Sequence, residues 1–231
     1  MIVYKYGGTS LIDEEKLKKS VKEALEKNEK IIIVTSAIGR YPSAYATDTL
    51  LKMADYCNKD EVAMIASCGE IISSVRLSNM LKKEGLKAIA LSVYDIDLKY
   101  DKKININDLI ISTLKELDIV IIPGFIYLKN NKITLFERGG SNITASFLAS
   151  YFKCDLVIIS DIDGIYSKNP KEDSKAIKLT NITYRELEII SEHAPSFFPK
   201  MAIKYLEEGN VKVYFKNIND DSGTIISKTL L

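Results

Sequence analysis

The chain has 231 residues, of which 46% are hydrophobic and 27% are charged; this composition is typical of a folded globular protein and excludes disorder along the whole chain. Its 32 Lys and Arg residues and 31 Asp and Glu residues leave a formal net charge of +1, so the overall charge does not favour a nucleic-acid partner. The longest apolar runs, such as residues 31–34, are too short to cross a bilayer.

The cysteine and histidine content argues against two further classes of protein. Cys57, Cys68 and Cys154 are an odd number of cysteines without CxxC spacing, as expected for reduced thiols rather than a disulfide framework. His193 is the only histidine, which argues against a histidine-based zinc site. The N-terminus lacks the basic and long apolar regions of a signal peptide. We therefore predict a cytoplasmic protein without a nucleic-acid or membrane partner.

Short β-branched runs alternate with longer segments of helical period along the chain. In chain order we predict strand 2–5, helix 14–26, strand 31–35, helix 43–58, helix 70–84, strand 87–92, helix 106–117, strand 119–123, hairpin 127–136, helix 142–152, strand 156–160, helix 194–208 and strand 211–214. Asp13 is placed to cap the first helix. The hairpin has Asn130-Asn131 at its turn and is expected to attach to the main sheet.

The order of these elements predicts the fold class. Several strands are apolar almost throughout, as are strands of a parallel sheet covered on both faces. The alternation of strands and helices predicts an α/β fold, namely a three-layer α/β/α sandwich with a mainly parallel sheet. Because no linker, repeat or low-complexity tract interrupts the chain, residues 1–231 are predicted to form a single domain whose N- and C-terminal halves meet at a cleft.

Two glycine pairs stand where a strand gives way to a helix. One lies in KYGGTS, at residues 5–10, and the other in ERGGSNITA, at residues 137–145, where Ser141 can cap the helix. Glycine lets the backbone come close to a ligand, and a helix N-terminus favours negative charge. Lys5 and Arg138 place a positive charge beside each pair. The pairs therefore suggest binding of phosphate or carboxylate groups, with ordinary tight turns as the alternative.

Two carboxylates follow the strand 156–160. Asp161 and Asp163 precede Gly164, at the end of a parallel strand, where ligands bind in open α/β sheets. Such carboxylates can hold Mg²⁺ directly or through water, and Tyr166 could lie against a nucleotide base. A solvated turn is the alternative.

Six segments occur together in one order. They are KYGGTS (5–10), VTSAIG (34–39), SCGE (67–70), ERGGSNITA (137–145), SDIDGIYSKNP (160–170) and DSGTII (221–226). In this order they resemble the catalytic domain of aspartokinases, which belong to the amino-acid kinase family, and the resemblance runs from Lys5 to Ile226. It implies ATP-dependent phosphorylation of the β-carboxylate of L-aspartate. The amino acid would bind the N-terminal half and Mg²⁺-ATP the C-terminal half, and a homodimer is allowed.

The resemblance also implies a role for each matched residue. Catalytic roles would fall to Lys5, which stabilises the transferring phosphoryl group, to Gly8, and to Arg138, which pairs with a substrate carboxylate. The ATP side would comprise Gly7, Ser160, Asp161, Tyr166 and Lys171. The amino-acid side would comprise Ser36, Thr47, Glu70, Phe125, Gly139, Gly140 and Ser141. The expected cofactors are ATP and Mg²⁺, without a dedicated set of protein metal ligands.

The chain departs from the aspartokinase pattern at four positions: Tyr127, Glu137, Asn142 and Pro195. Glu137 and Asn142 replace a glycine and an aspartate, while Pro195 replaces a lysine for which Lys168 or Lys200 could substitute. These departures leave two alternatives open: a relative with another small carboxylate or phosphate acceptor, and a catalytically weak nucleotide-binding regulatory subunit. Because the chain ends just after DSGTII, we expect no regulatory ACT domains and no inhibition by lysine or threonine through them.

Overall fold

An eight-stranded sheet forms the centre of the computed structural model, which describes residues 1–101, 103–168, 173, 175–192 and 197–230. The strands are β1 Ile2–Tyr6, β2 Ile31–Thr35, β3 Ala88–Ala90, β4 Lys99–Asp101, β5 Lys103–Asn105, β6 Ile119–Pro123, β7 Ile126–Lys129, β8 Lys132–Leu135, β9 Leu156–Ser160, β10 Ile165–Tyr166, β11 Lys178–Leu179, β12 Asn181–Thr183, β13 Val213–Asn217 and β14 Asp220–Ser227. The helices are α1 Glu14–Lys27, α2 Thr47–Leu51, α3 Lys59–Lys83, α4 Leu109–Glu116, α5 Gly140–Phe152, α6 Tyr184–Glu192 and α7 Lys200–Gly209, with a 3₁₀ turn at Gly8–Leu11.

The main sheet has the strand order β12-β14-β13-β9-β1-β2-β6-β3. All pairings from β13 to β3 are parallel, and β14 and β12 run the other way. Alternate side chains of the strands pack on opposite faces: α1 and α3 cover one face, and α4, α5, α6 and α7 cover the other. Because both faces are covered, β2 and β6 are buried along their whole length. The predicted three-layer sandwich with a mainly parallel sheet is confirmed.

The predicted hairpin exists but belongs to a different sheet. Strands β7 and β8 pair antiparallel around Asn130 and Asn131, whose φ angles of 52° and 58° give the left-handed turn that joins such strands. The hairpin lies in a separate sheet of order β5-β4-β7-β8. The expected attachment to the main sheet is therefore wrong. Tyr127, on β7, packs its ring on Tyr100 and Phe136, which accounts for an aromatic residue at this position.

Two helices differ from their predicted bounds, and the difference changes the position of Glu70 in its helix. The predicted helix 43–58 shrinks to α2, and the predicted helix 70–84 begins eleven residues earlier, at Lys59. The side chain of Asn58 accepts the N–H of Glu61 while the Glu61 carboxylate accepts the N–H of Asn58, which caps α3 from both sides. Glu70 is therefore in the middle of a helix of 25 residues and not in its first turn.

The remaining differences are smaller. Strands β1, β2, β6 and β9 lie within one residue of prediction, as does the N-terminus of α1, where the Asp13 side chain accepts the Lys16 N–H. The helix predicted from residue 194 begins at Lys200 in the described part of the chain. Helix α6 and strands β4, β5, β10 to β12 and β14 were not predicted. Across the described ranges, no helix is both long and apolar enough to span a membrane.

Candidate active site

A cavity of about 530 Å³ opens where β1, β2 and β9 end. These strands are parallel neighbours, so their carboxyl ends meet at one edge of the sheet, where open α/β folds bind ligands. The cavity is lined by these predicted residues: Lys5, Gly7, Gly8, Ser36, Thr47, Glu70, Phe125, Arg138, Gly139, Gly140, Ser141, Ser160 and Asp161. The fold thus brings the two glycine pairs and their cations to one site.

Lys5 and Glu70 place an amine and a carboxyl group in the interior of this site. Burial lowers the pKa of Lys5 to about 8, and the negative charges of Glu70 and Asp161 oppose that shift. Burial also raises the pKa of Glu70 to about 8, opposed by a hydrogen bond from the Ala37 N–H and by the Lys5 charge. Glu70 is only 2% exposed, whereas Lys5 keeps part of its surface open to the cavity. Glu70 Oε2 has no hydrogen-bond partner among the described residues.

The burial of Glu70 predicts a pH dependence of stability. A carboxyl group whose pKa is higher in the folded chain holds its proton more tightly there, so the free energy of unfolding falls as the pH rises from 4.5, the ordinary pKa of a glutamate, to about 8. Glu70→Gln removes this effect. We expect the variant to gain stability relative to the wild type as the pH rises through that window, measured by urea denaturation at several pH values. A difference that is constant with pH would contradict this prediction.

The first glycine turn is held against the loop that follows β2. The Gly39 N–H donates to the Gly8 carbonyl at 2.9 Å. A Cβ built on Gly8 would lie 2.2 Å from the Ala37 carbonyl oxygen, whereas one on Gly7 would meet no atom closer than 3.4 Å. Gly8 is therefore required by the close approach of two backbone segments, while the space beside Gly7 remains open.

The second glycine turn begins helix α5. Gly139 has a φ of 86° and precedes the helix without providing a side-chain cap. The expected cap by Ser141 is wrong, because Ser141 lies inside the helix and its Oγ is 2.8 Å from the Oγ of Ser36. Because no side chain caps the helix, N–H groups at its start can face an anion at the cavity wall, although the Asn142 N–H already donates to the Gly139 carbonyl at 2.8 Å. Phe125 packs beside this turn with a φ of 67°, a strained backbone conformation at the site.

Two arginine–aspartate ion pairs lie in the cavity wall. Arg138 pairs with Asp48 on α2, and Arg40 pairs with Asp161 at an Nη2–Oδ2 distance of 2.8 Å. Arg40 and Asp48 were not predicted from the sequence, because each pair joins positions about ninety or more residues apart. Their closeness in sequence to Ser36 and Thr47 was the available signal. Arg138 is thus held by a carboxylate of the protein at the place predicted for a substrate carboxylate.

Some predicted residues of the ATP side are not part of this cavity. Tyr166 does not line it, because its hydroxyl donates to Asp163 at 3.0 Å. Asp163 also pairs with Lys178 at 3.1 Å, which helps hold the pKa of its carboxyl below the usual value. Of the two carboxylates, only Asp161 lines the cavity, while Asp163 is bonded to Tyr166 and Lys178. Lys171, His193 and Pro195 lie outside the described residues.

The oxygen ligands that line the cavity could hold Mg²⁺ only together with phosphate groups of a substrate. Mg²⁺ in phosphoryl-transfer sites keeps several waters and binds one or two carboxylates together with substrate phosphates. Asp161 supplies such a carboxylate at the cavity wall. Among the described residues there is no group of three or more His, Cys, Asp and Glu side chains that could hold a metal. Asp161 would therefore hold the ion jointly with phosphate oxygens.

Asn142 shows why this chain departs from the aspartokinase pattern at that position. Its Nδ2 donates to the Phe197 carbonyl at 2.9 Å, and the residue is only 6% exposed. An aspartate carboxylate cannot donate this hydrogen bond. The amide therefore anchors the segment that carries Phe197, whose ring packs on Phe215 in the apolar part of the cavity wall.

The fold and this cavity define an α/β protein with two glycine turns at one site. The chain belongs to the amino acid kinase family, whose model matches residues 1–217. It is 29% identical to aspartokinase 1 of Bacillus subtilis, covering 98% of this chain and 60% of that protein. It is 30% identical to an aspartokinase of Helicobacter pylori, covering 98% of this chain and 59% of that protein.

A solved structure agrees with these sequence relatives. The aspartate kinase of Synechocystis superposes with a TM-score of 0.84 at 25% identity, covering 100% of this chain and 40% of that one. The chain spans about 60% of the length of the two curated relatives it matches. The resemblance inferred from the six segments is confirmed.

Proposed function

We propose that the chain transfers the γ-phosphoryl group of ATP to the β-carboxylate of L-aspartate, forming an acyl phosphate and ADP. The observation that carries this proposal is the convergence of Lys5, Arg138 and both glycine turns on one cavity. Relatives named aspartokinase support aspartate as the acceptor. We further propose that residues 1–231 act as one domain, with the amino acid on the N-terminal half and ATP on the C-terminal half.

The acceptor end of the cavity offers a partner for each charge of aspartate. The α-ammonium suits the unpartnered oxygen of Glu70, because a positive charge beside this buried carboxyl group lowers its raised pKa and favours the carboxylate. Arg138 suits the α-carboxylate, which a guanidinium grips through two parallel hydrogen bonds. To bind that carboxylate, Arg138 must release Asp48. This should cost little free energy, since both side chains of the pair are exposed and water screens their attraction. The remaining predicted acceptor contacts are Ser36, Thr47, Phe125, Gly139, Gly140 and Ser141.

The donor end lies toward the first glycine turn and the end of β9. Gly7 and Gly8 would let phosphate oxygens approach the backbone, and Ser160 and Asp161 border the same space. Mg²⁺, when bound, neutralises phosphate charge. Contacts from Tyr166 and Lys171 to ATP stay predictions.

The transfer step needs alignment and charge neutralisation rather than a strong base. The β-carboxylate is ionised at neutral pH, so its oxygen attacks the γ-phosphorus directly while the bond to the β-phosphate oxygen breaks and ADP leaves. Lys5, between the two ends, would stabilise the charge on the transferring oxygens. Phosphate beside Lys5 raises the pKa of its ammonium and keeps it protonated.

A hydroxamate assay tests this proposal. With ATP, Mg²⁺, L-aspartate and hydroxylamine, we expect aspartyl hydroxamate to form, and none without ATP. A parallel assay of ADP release should cover glutamate, nucleoside monophosphates and small phosphates. ADP release with one of these but not with aspartate would establish a different acceptor. ATP binding without ADP release on any acceptor would instead indicate a regulatory subunit.

Two further features remain proposals. A cytoplasmic location is supported by the three free cysteines, two of which are exposed. Homodimer formation stays a prediction, and static light scattering of the purified chain measures it.

A further inference from the structure

Three cationic side chains line the cavity among the described residues: Lys5, Arg40 and Arg138. The proposed mechanism uses Lys5 at the transfer point and Arg138 at the acceptor, and it gives Arg40 no role. Lys168 and Lys200, which the sequence suggested as substitutes for the lysine replaced by Pro195, do not supply a further positive charge in the cavity. Lys168 pairs with Asp173 at 3.0 Å, and neither Lys168 nor Lys200 lines the cavity.

The backbone places Arg40 beside the donor end. Its neighbour Gly39 donates to the Gly8 carbonyl, so the start of the loop carrying Arg40 is bonded to the first glycine turn. From there the guanidinium reaches Asp161, directly after β9. The Asp161 charge also acts on Lys5. One carboxylate therefore lies close to two cations at the point where phosphates would enter.

The ion pair between Arg40 and Asp161 is weak enough for a phosphate group to replace Asp161 as the partner of Arg40. The Arg40 side chain is 68% exposed and that of Asp161 is 39% exposed, and exposed ion pairs add little to stability because water screens them. A phosphate chain carries more negative charge than one carboxylate and accepts two parallel hydrogen bonds from a guanidinium. An entering nucleotide would therefore compete well for Arg40.

We propose that Arg40 leaves Asp161 when the nucleotide binds and contacts its β- and γ-phosphates. This inference rests on the proposed function, because it takes ATP as the donor. Arg40 is then a catalytic residue of the donor end, and Asp161 holds it at the cavity wall until the nucleotide arrives.

The test measures nucleotide binding to the purified chain by calorimetry, without turnover. Arg40→Ala should weaken ATP binding about tenfold or more, since the lost hydrogen bonds join two charged groups, and should leave AMP binding within about twofold. Arg40→Lys should fall between Arg40→Ala and the wild type, because it keeps the charge but not the two parallel bonds. Arg185→Ala is the matched control, since Arg185 is an exposed arginine on α6 paired with Glu188, and it should bind ATP as the wild type does.

A second variant separates phosphate contact from a purely structural clamp. In EDTA, Asp161→Asn releases Arg40 and removes a negative charge, so it should bind ATP at least as tightly as the wild type. If the pair only clamps two loops together, Asp161→Asn and Arg40→Ala should weaken ATP binding alike, and the inference fails. It also fails if Arg40→Ala binds ATP within about twofold of the wild type. Absence of ATP binding by the wild type would instead overturn the proposed function.

Discussion

Lys5→Ala is expected to lower kcat for aspartyl phosphate formation by about 10²- to 10³-fold, the usual cost of removing one donor that stabilises transition-state charge. Lys5 is on β1 between the two glycine turns and faces the cavity shared with Arg138. The loss should fall mainly on kcat, because in the proposed mechanism Lys5 contacts the group being transferred, where charge develops during the reaction. The hydroxamate assay at saturating ATP and aspartate measures it.

The fold of this variant is expected to remain intact. The pKa of Lys5 is lowered by burial, so the folded state gains little from its charge, and its removal should leave the thermal transition near that of the wild type. Lys204→Ala is the matched control, because Lys204 is an exposed lysine on α7 paired with Glu208. A Lys5→Ala enzyme with kcat within threefold of the wild type would remove Lys5 from the mechanism.

The fold could be predicted where local pattern and burial agree. Strands β2, β6 and β9 are short, continuous β-branched runs, and their predicted bounds match the structure. Helix α3 was misplaced because it is buried on several sides through small residues such as Ala66 and Ser67, so its apolar period is weak. Several strands were missed because they contain only two or three residues or, in β14, many polar ones.

The site could be predicted as far as its backbone and not as far as its ion pairs. A glycine pair indicates that the backbone comes close to a ligand or to another segment, and both pairs line the cavity. By contrast, the pairing of Arg40 with Asp161 depends on the order of strands in the sheet, which places the loops after β2 and β9 on either side of β1. No local pattern encodes that neighbourhood. The role of Asn142 similarly depends on a contact with Phe197, 55 residues away.

Gly8→Ala is expected to reduce both stability and activity. Its Cβ would lie 2.2 Å from the Ala37 carbonyl oxygen and 2.8 Å from that of Gly39, and backbone atoms cannot turn aside as a flexible side chain can. The two loops must separate, which should lower the free energy of unfolding by about 1–3 kcal/mol. Displacement of the turn by about 1 Å should lower kcat/KM about 10²-fold. Urea denaturation and the hydroxamate assay measure the two effects.

Gly7→Ala separates the two reasons for a glycine at this turn. Gly7 has a φ of −69° and a ψ of 156°, which any residue adopts, and its Cβ would come no closer than 3.4 Å to another atom. The substituted chain should therefore keep the stability of the wild type. If phosphates of ATP lie against the turn, the added methyl group occupies their space, and ATP binding should weaken at least tenfold although the fold is unchanged. Loss of stability with Gly8→Ala and loss of ATP affinity alone with Gly7→Ala would assign packing to one glycine and ligand approach to the other. Full ATP affinity in a stable Gly7→Ala chain would mean that the turn does not contact the nucleotide.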